Sequence, residues 1–141
     1  MSEHGSWGFT IQLETDPNVI RAVRKVIAAT ARIGGARDAD ARLIELSVGE
    51  ALANARFHAY QSGVGPIEVT VTLDGELFSV LIQNKGKPVT RGPRVPDTLE
   101  PLESQRWGLY LLGQIMDEVE ITRSTLDDRG TAIRMSKRLT A

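Results

Sequence analysis

Ile67, Val69, Val71 and Leu73 alternate with polar residues, Asp74-Gly75 follows, and Phe78, Val80 and Ile82 alternate again. Side chains with period two line one face of a strand, and Asp-Gly between two such runs is a strong hairpin signal. This hairpin fixes the frame for everything else. It needs a layer to cover its apolar face, and the rest of the chain supplies helices.

Trp7, Phe9, Ile11 and Leu13 alternate with Gly8, Thr10 and Gln12, which predicts a strand with one buried face. Asp16-Pro17 predicts a helix start, because Asp caps and Pro suits the first turn. That helix carries Val19, Ile20, Val23, Val26 and Ile27 on one stripe and stops at Gly34-Gly35. Asp38 or Asp40 is expected to cap a second helix reaching about Tyr60, with Ile44, Val48, Ala51, Leu52, Ala55 and Ala59 inward. Ser104 is expected to cap a third helix ending near Met116, with Leu111, Leu112 and Ile115 inward. Val119 and Ile121 begin a strand, residues 127–130 turn, and Thr131, Ile133 and Met135 form the last strand. Residues 85–103 show no periodicity and hold four of the six prolines, which predicts a long functional loop. The order β-α-α-β-β-loop-α-β-β predicts an α+β two-layer sandwich: a mixed or antiparallel sheet with helices on one face. Glu68, Thr70, Thr72, Glu120, Thr122 and Arg134 alternate with the apolar set, so the other face is expected to be wet.

A chain of 141 residues suits one domain, 1–141. Its net charge of −1 gives no basic face for nucleic acid. The absence of cysteine fits a reducing compartment, and with only two histidines a zinc site is not expected. The first eight residues lack the apolar core of a secretory leader, and no apolar run approaches a membrane span. A cytoplasmic protein is the expectation.

Four places can carry chemistry. Glu50, Asn54 and His58 recur at every fourth position and share one helix face. A carboxylate and an amide oxygen so placed can hold a base and a metal side by side; a solvated helix face would show the same spacing. Asn84-Lys85-Gly86 ends a strand, where Gly86 would let a flat ligand approach the backbone, or simply a turn begins. Ser104-Gln105-Arg106-Trp107-Gly108-Leu109 opens a helix whose free N–H groups suit phosphate, or are merely capped. Gly130-Thr131 precedes the last strand and on its own is a hairpin turn.

Together, in this order and on these elements, the four resemble the boxes of the GHKL ATPases in the version found in anti-sigma-factor serine/threonine kinases. Glu50-Ala51-x-x-Asn54-Ala55-x-x-His58 resembles the N box. Asn84-x-Gly86 stands where the family has Asp-x-Gly, and Arg106-Trp107-Gly108-Leu109 where it has Gly-x-Gly-hydrophobic. Gly130-Thr131 matches the Gly-Thr before the final strand, and Met116-Asp117-Glu118-Val119 is similar to the run after the last box. The resemblance runs from Phe9 to the last strand and implies the Bergerat ATP-binding fold.

It further implies ATP and Mg2+ as cofactors. Asn54 would be the magnesium ligand and Glu50 the general base. Gly108, Leu109 and their neighbours would cradle phosphates, Thr131 would support the adenine pocket through a water, and residues 85–103 would be the lid. Lys87, Arg91 and Arg94 would favour anionic ligands or keep the loop soluble. His58 receives no role. The implied activity is transfer of a phosphoryl group to a STAS-type anti-anti-sigma partner, together with binding of a sigma factor, as a homodimer and without membrane or nucleic acid. A stress-signalling switch kinase with other partners shares that chemistry. Two positions depart from the pattern. The family's aspartate accepts a hydrogen bond from the adenine amino group; an Asn84 oxygen would accept it without charge assistance, which predicts weaker ATP binding or an altered base preference. Arg106 replaces a glycine, leaving less room but offering a guanidinium to phosphate. Both departures favour the alternative of a partner-binding module without catalysis; the retained Glu50 favours the kinase.

Overall fold

The structure, a computed structural model, describes residues 5–60, 64–86, 110–126 and 130–139, with residues 58 and 59 as backbone only. The elements are β1 (Ser6–Glu14), α1 (Pro17–Ile33), α2 (Asp38–Asn54), a π-helical turn (Ala55–Ala59), β2 (Pro66–Asp74), β3 (Leu77–Asn84), β4 (Glu118–Arg123) and β5 (Thr131–Arg138). A further helix, α3, is described over 110–115. Its expected cap at Ser104, the loop after Gly86 and the turn at 127–129 lie outside the described residues.

All four strand pairings are antiparallel, in the order β1-β2-β3-β5-β4. The hairpin closes as the Asp-Gly signal predicts: Asp74 pairs with Leu77, and Gly75 takes a positive φ of 63°. Pairing aligns the alternating residues into rows across the sheet. One row runs Phe9, Val71, Val80, Met135, Val119; the next runs Ile11, Val69, Ile82, Ile133, Ile121. The central members are buried and form one core with Ile20, Val23, Ile27, Ile44, Val48, Leu52 and Leu112 of the helices. The following row begins Leu13, Ile67 and then turns polar at Asn84. The apolar layer stops there, and a site begins.

The opposite face is polar, with Thr72, Glu120, Thr122 and Arg134 exposed. At its centre Ser79 and Ser136 are buried and bond to each other at 2.9 Å. Small hydroxyl side chains here satisfy one another rather than water.

Several expectations change. Asp16 caps α1 as expected, its Oδ1 accepting from the Asn18 N–H at 2.8 Å. Neither Asp38 nor Asp40 caps α2: Arg37 holds the cap position and makes no side-chain cap bond. Asp38 instead accepts from Arg32 Nε at 2.9 Å, and both aspartates sit in the first turn, where the helix dipole favours them. Val19 and Val26 are exposed, because α2 and the sheet together cover only the Ile20, Val23, Ile27 stripe. Leu111 is also exposed, whereas Leu112 is buried. Trp7 is exposed and Leu13 buried, because β1 is an edge strand covered only at its Leu13 end.

Candidate functional site

Asn54 is the last residue of α2 and is 1% exposed. Among the described residues neither its Oδ1 nor its Nδ2 has a hydrogen-bond partner. A buried carboxamide with both ends unpartnered is uncommon and costs stability. The helix widens into the π-helical turn directly after it, a distortion often met at functional sites. Glu50, one turn earlier on the same face, is half-buried. Burial of Asn54 sets this end of the stripe apart from a fully solvated helix face.

Asn84 ends β3 on the helix-facing side of the sheet, after Phe78, Val80 and Ile82, and α2 lies against this strand. Its side chain is 3% exposed, and its Oδ1 accepts two backbone N–H bonds, from Gly86 at 3.1 Å and Thr131 at 3.2 Å. The first closes an Asx turn; the second ties β3 to the start of β5. Both partners are N–H donors, so the arm facing them must be the oxygen. This differs from the expectation that the oxygen would face an adenine amino group, because both its lone pairs are engaged within the chain.

Gly130 explains its own identity. A Cβ there would collide with the Asn84 carbonyl oxygen and lie 2.9 Å from Ser124 Cβ, so no other residue fits. The Gly-Thr pair thus lets the last strand close on Asn84, and Thr131 is buried beside it.

Two supports escape sequence reasoning. Tyr60 Oη donates to the Pro66 carbonyl at 2.6 Å and accepts from the Lys85 N–H at 2.9 Å, joining the end of the π-helical turn to the residue after Asn84. Gln83 Oε1 accepts from Thr125 N–H at 2.8 Å and from its hydroxyl at 3.0 Å, anchoring the segment after β4. Neither has a sequence signal, since each depends on which strands meet. The structure therefore joins Asn84, Gly86 and Thr131 by hydrogen bonds and sets Glu50 and Asn54 on α2, which lies against β3. Arg106, Gly108 and Leu109, and the His58 side chain, lie outside the described residues.

The residues present fit a magnesium ion. An unpartnered, buried amide oxygen at Asn54 is a hard donor of the kind magnesium takes. Among the described residues no three or more His, Cys, Asp or Glu side chains converge, so most of the ion's oxygens would come from phosphate and water.

Residues 13–137 match the sequence profile of the histidine kinase-like ATPase domain. Serine-protein kinase RsbW of Bacillus velezensis is 26% identical over 138 residues, covering 92% of this chain and 84% of that protein. Serine-protein kinase RsbW of Bacillus licheniformis is 29% identical over 134 residues, covering 86% and 79%. A crystal structure of the RsbU and RsbW domains of a Mycobacterium tuberculosis protein superposes with a TM-score of 0.69 at 23% identity. It covers 94% of this chain, which spans 32% of that longer one, and it bears on the fold alone.

Proposed function

This chain belongs to the histidine kinase-like ATPase domain family, and from that premise we propose that it is a serine/threonine protein kinase acting on a STAS-type anti-anti-sigma partner. In the same reading it is cytoplasmic, forms a homodimer, and binds and inhibits a sigma factor. The donor is a magnesium-bound nucleoside triphosphate, ATP being the one the family implies. The relatives named as serine-protein kinases support this activity.

The observation that carries the reading is the Asn54 carboxamide, buried without a partner on a helix whose preceding turn presents a carboxylate. Asn54 would hold the magnesium ion through Oδ1. When bound, that ion neutralises phosphate charge during transfer. Glu50 would orient the acceptor hydroxyl and take its proton as the oxygen bonds to the γ-phosphorus and the nucleoside diphosphate leaves with the bridging oxygen. Thr131 and Asn84 would border the base, and Gly108 with its neighbours would receive the phosphates at a helix N-terminus.

Calorimetric titration of magnesium-bound nucleoside triphosphates tests the site: binding is expected to depend on magnesium and to weaken at least about tenfold in Asn54→Ala, the loss of one good ligand interaction. Equal binding by wild type and Asn54→Ala would overturn the role of Asn54. The binding-module reading, favoured by Asn84 and Arg106, is separated by Glu50→Ala. In a kinase that change lowers phosphotransfer to a STAS protein by about 10²–10⁴-fold while leaving capture of the partner intact. In a pure binding module no phosphotransfer is present to lose.

A further inference from the structure

The Asn84 carboxamide has two different ends, and the chain has used one of them. Oδ1 accepts from Gly86 and Thr131 at 3.1 and 3.2 Å, which occupies both of its lone pairs. Those bonds cannot be exchanged by flipping the amide, because an NH2 facing two N–H donors would leave all of them unpaired. Gly130, closed against the Asn84 carbonyl, and the Tyr60 bond to the Lys85 N–H hold the backbone on both sides, so the side chain has little freedom to turn. Only the amide nitrogen, with its two donors, is left for a ligand.

An aspartate at this position could use one oxygen for the same two N–H groups and still offer the other as an acceptor. Asn84 offers a donor. Adenine presents a donor too, its C6 amino group, and two donors face to face leave both unpaired. A purine with a carbonyl at C6 presents an acceptor there. Its N1–H then needs an acceptor, which water supplies. Resting on the nucleotide-site reading above, we propose that Asn84 sets this site to select a 6-oxopurine nucleoside triphosphate, of the guanosine or inosine type, over ATP.

Inosine triphosphate is the cleanest probe, because near the base edge it differs from ATP by the C6 group and the N1 proton alone. The 141-residue chain is titrated with the magnesium complexes of ITP, GTP and ATP, as wild type and as Asn84→Asp. The wild type is expected to bind ITP at least about tenfold more tightly than ATP, as expected where a site's buried polar group is left unpaired by the wrong ligand. Asn84→Asp is expected to reverse the order. Comparison of ITP with GTP then reports whether a C2 amino group is accepted. If the wild type binds ATP as tightly as ITP or more tightly, the base inference falls while the kinase reading stands. If the wild type binds none of the three, the nucleotide-site reading falls and takes this inference with it. The wild-type ratio alone decides the matter even if Asn84→Asp folds poorly.

Discussion

Gly130 has no room for a methyl group, since the Asn84 carbonyl oxygen occupies the space a Cβ would need. Gly130→Ala must therefore push β5 away from β3 at the point where Thr131 bonds Asn84. The expected cost is about 2 kcal/mol or more in urea unfolding, the upper part of the usual range for overpacking, and nucleotide binding should weaken with it. Asn54 presents the reverse situation: a polar group given space and no partner. Removing it relieves an unpaired amide, worth about 1–3 kcal/mol, and opens a small cavity of comparable cost. Asn54→Ala is thus expected to leave the ligand-free unfolding free energy within about 1 kcal/mol of wild type. A loss well beyond that would reveal a structural role. The identities of both residues are legible in the sequence, because they sit in spaced motifs. Their circumstances are not: which N–H groups reach the Asn84 oxygen depends on the pairing of β3 with β5, and no local pattern encodes that.

At the scale of elements, period-two runs read through cleanly where a strand is interior and imperfectly where it is not. β2 buries Ile67, Val69, Val71 and Leu73 as its alternation predicts, whereas β1 follows the same alternation and leaves Trp7 exposed at the sheet edge. The α1 stripe narrows for a similar reason. Five apolar residues fit a helical face, but only three of them meet another layer, and Val19 and Val26 look outward. Helix starts divide along the same line. Asp16 immediately precedes a proline, which fixes the first turn and with it the cap; before α2 two aspartates compete, and Arg32 claims one of them. Asp16→Ala is accordingly expected to cost about 1 kcal/mol in chemical denaturation. Arg37→Ser, supplying the cap that α2 lacks, is expected to gain about 0.5–1 kcal/mol in the same experiment. No gain would mean that Arg37 contributes more through its neighbours, such as Asp40 at 3.9 Å, than a cap returns.

Across the whole molecule, one layer of helices covers one face of a five-stranded sheet, and the two apolar rows that hold the layers together give way to polar residues at Asn84. The α+β class and the helix-bearing face follow from the order of elements alone. The strand order does not, because a hairpin grammar would set β4 beside β3, and the chain instead inserts β5 between them. That insertion has a temporal consequence. Asn84 receives its second bond from a residue 47 positions further on, in β5. A chain emerging from the ribosome carries Glu50 and Asn54, on a helix that packs chiefly against the preceding α1, well before the partner of Asn84 in β5 is made. On the proposed reading, the base-facing end of the site is unfinished until Thr131 is in place.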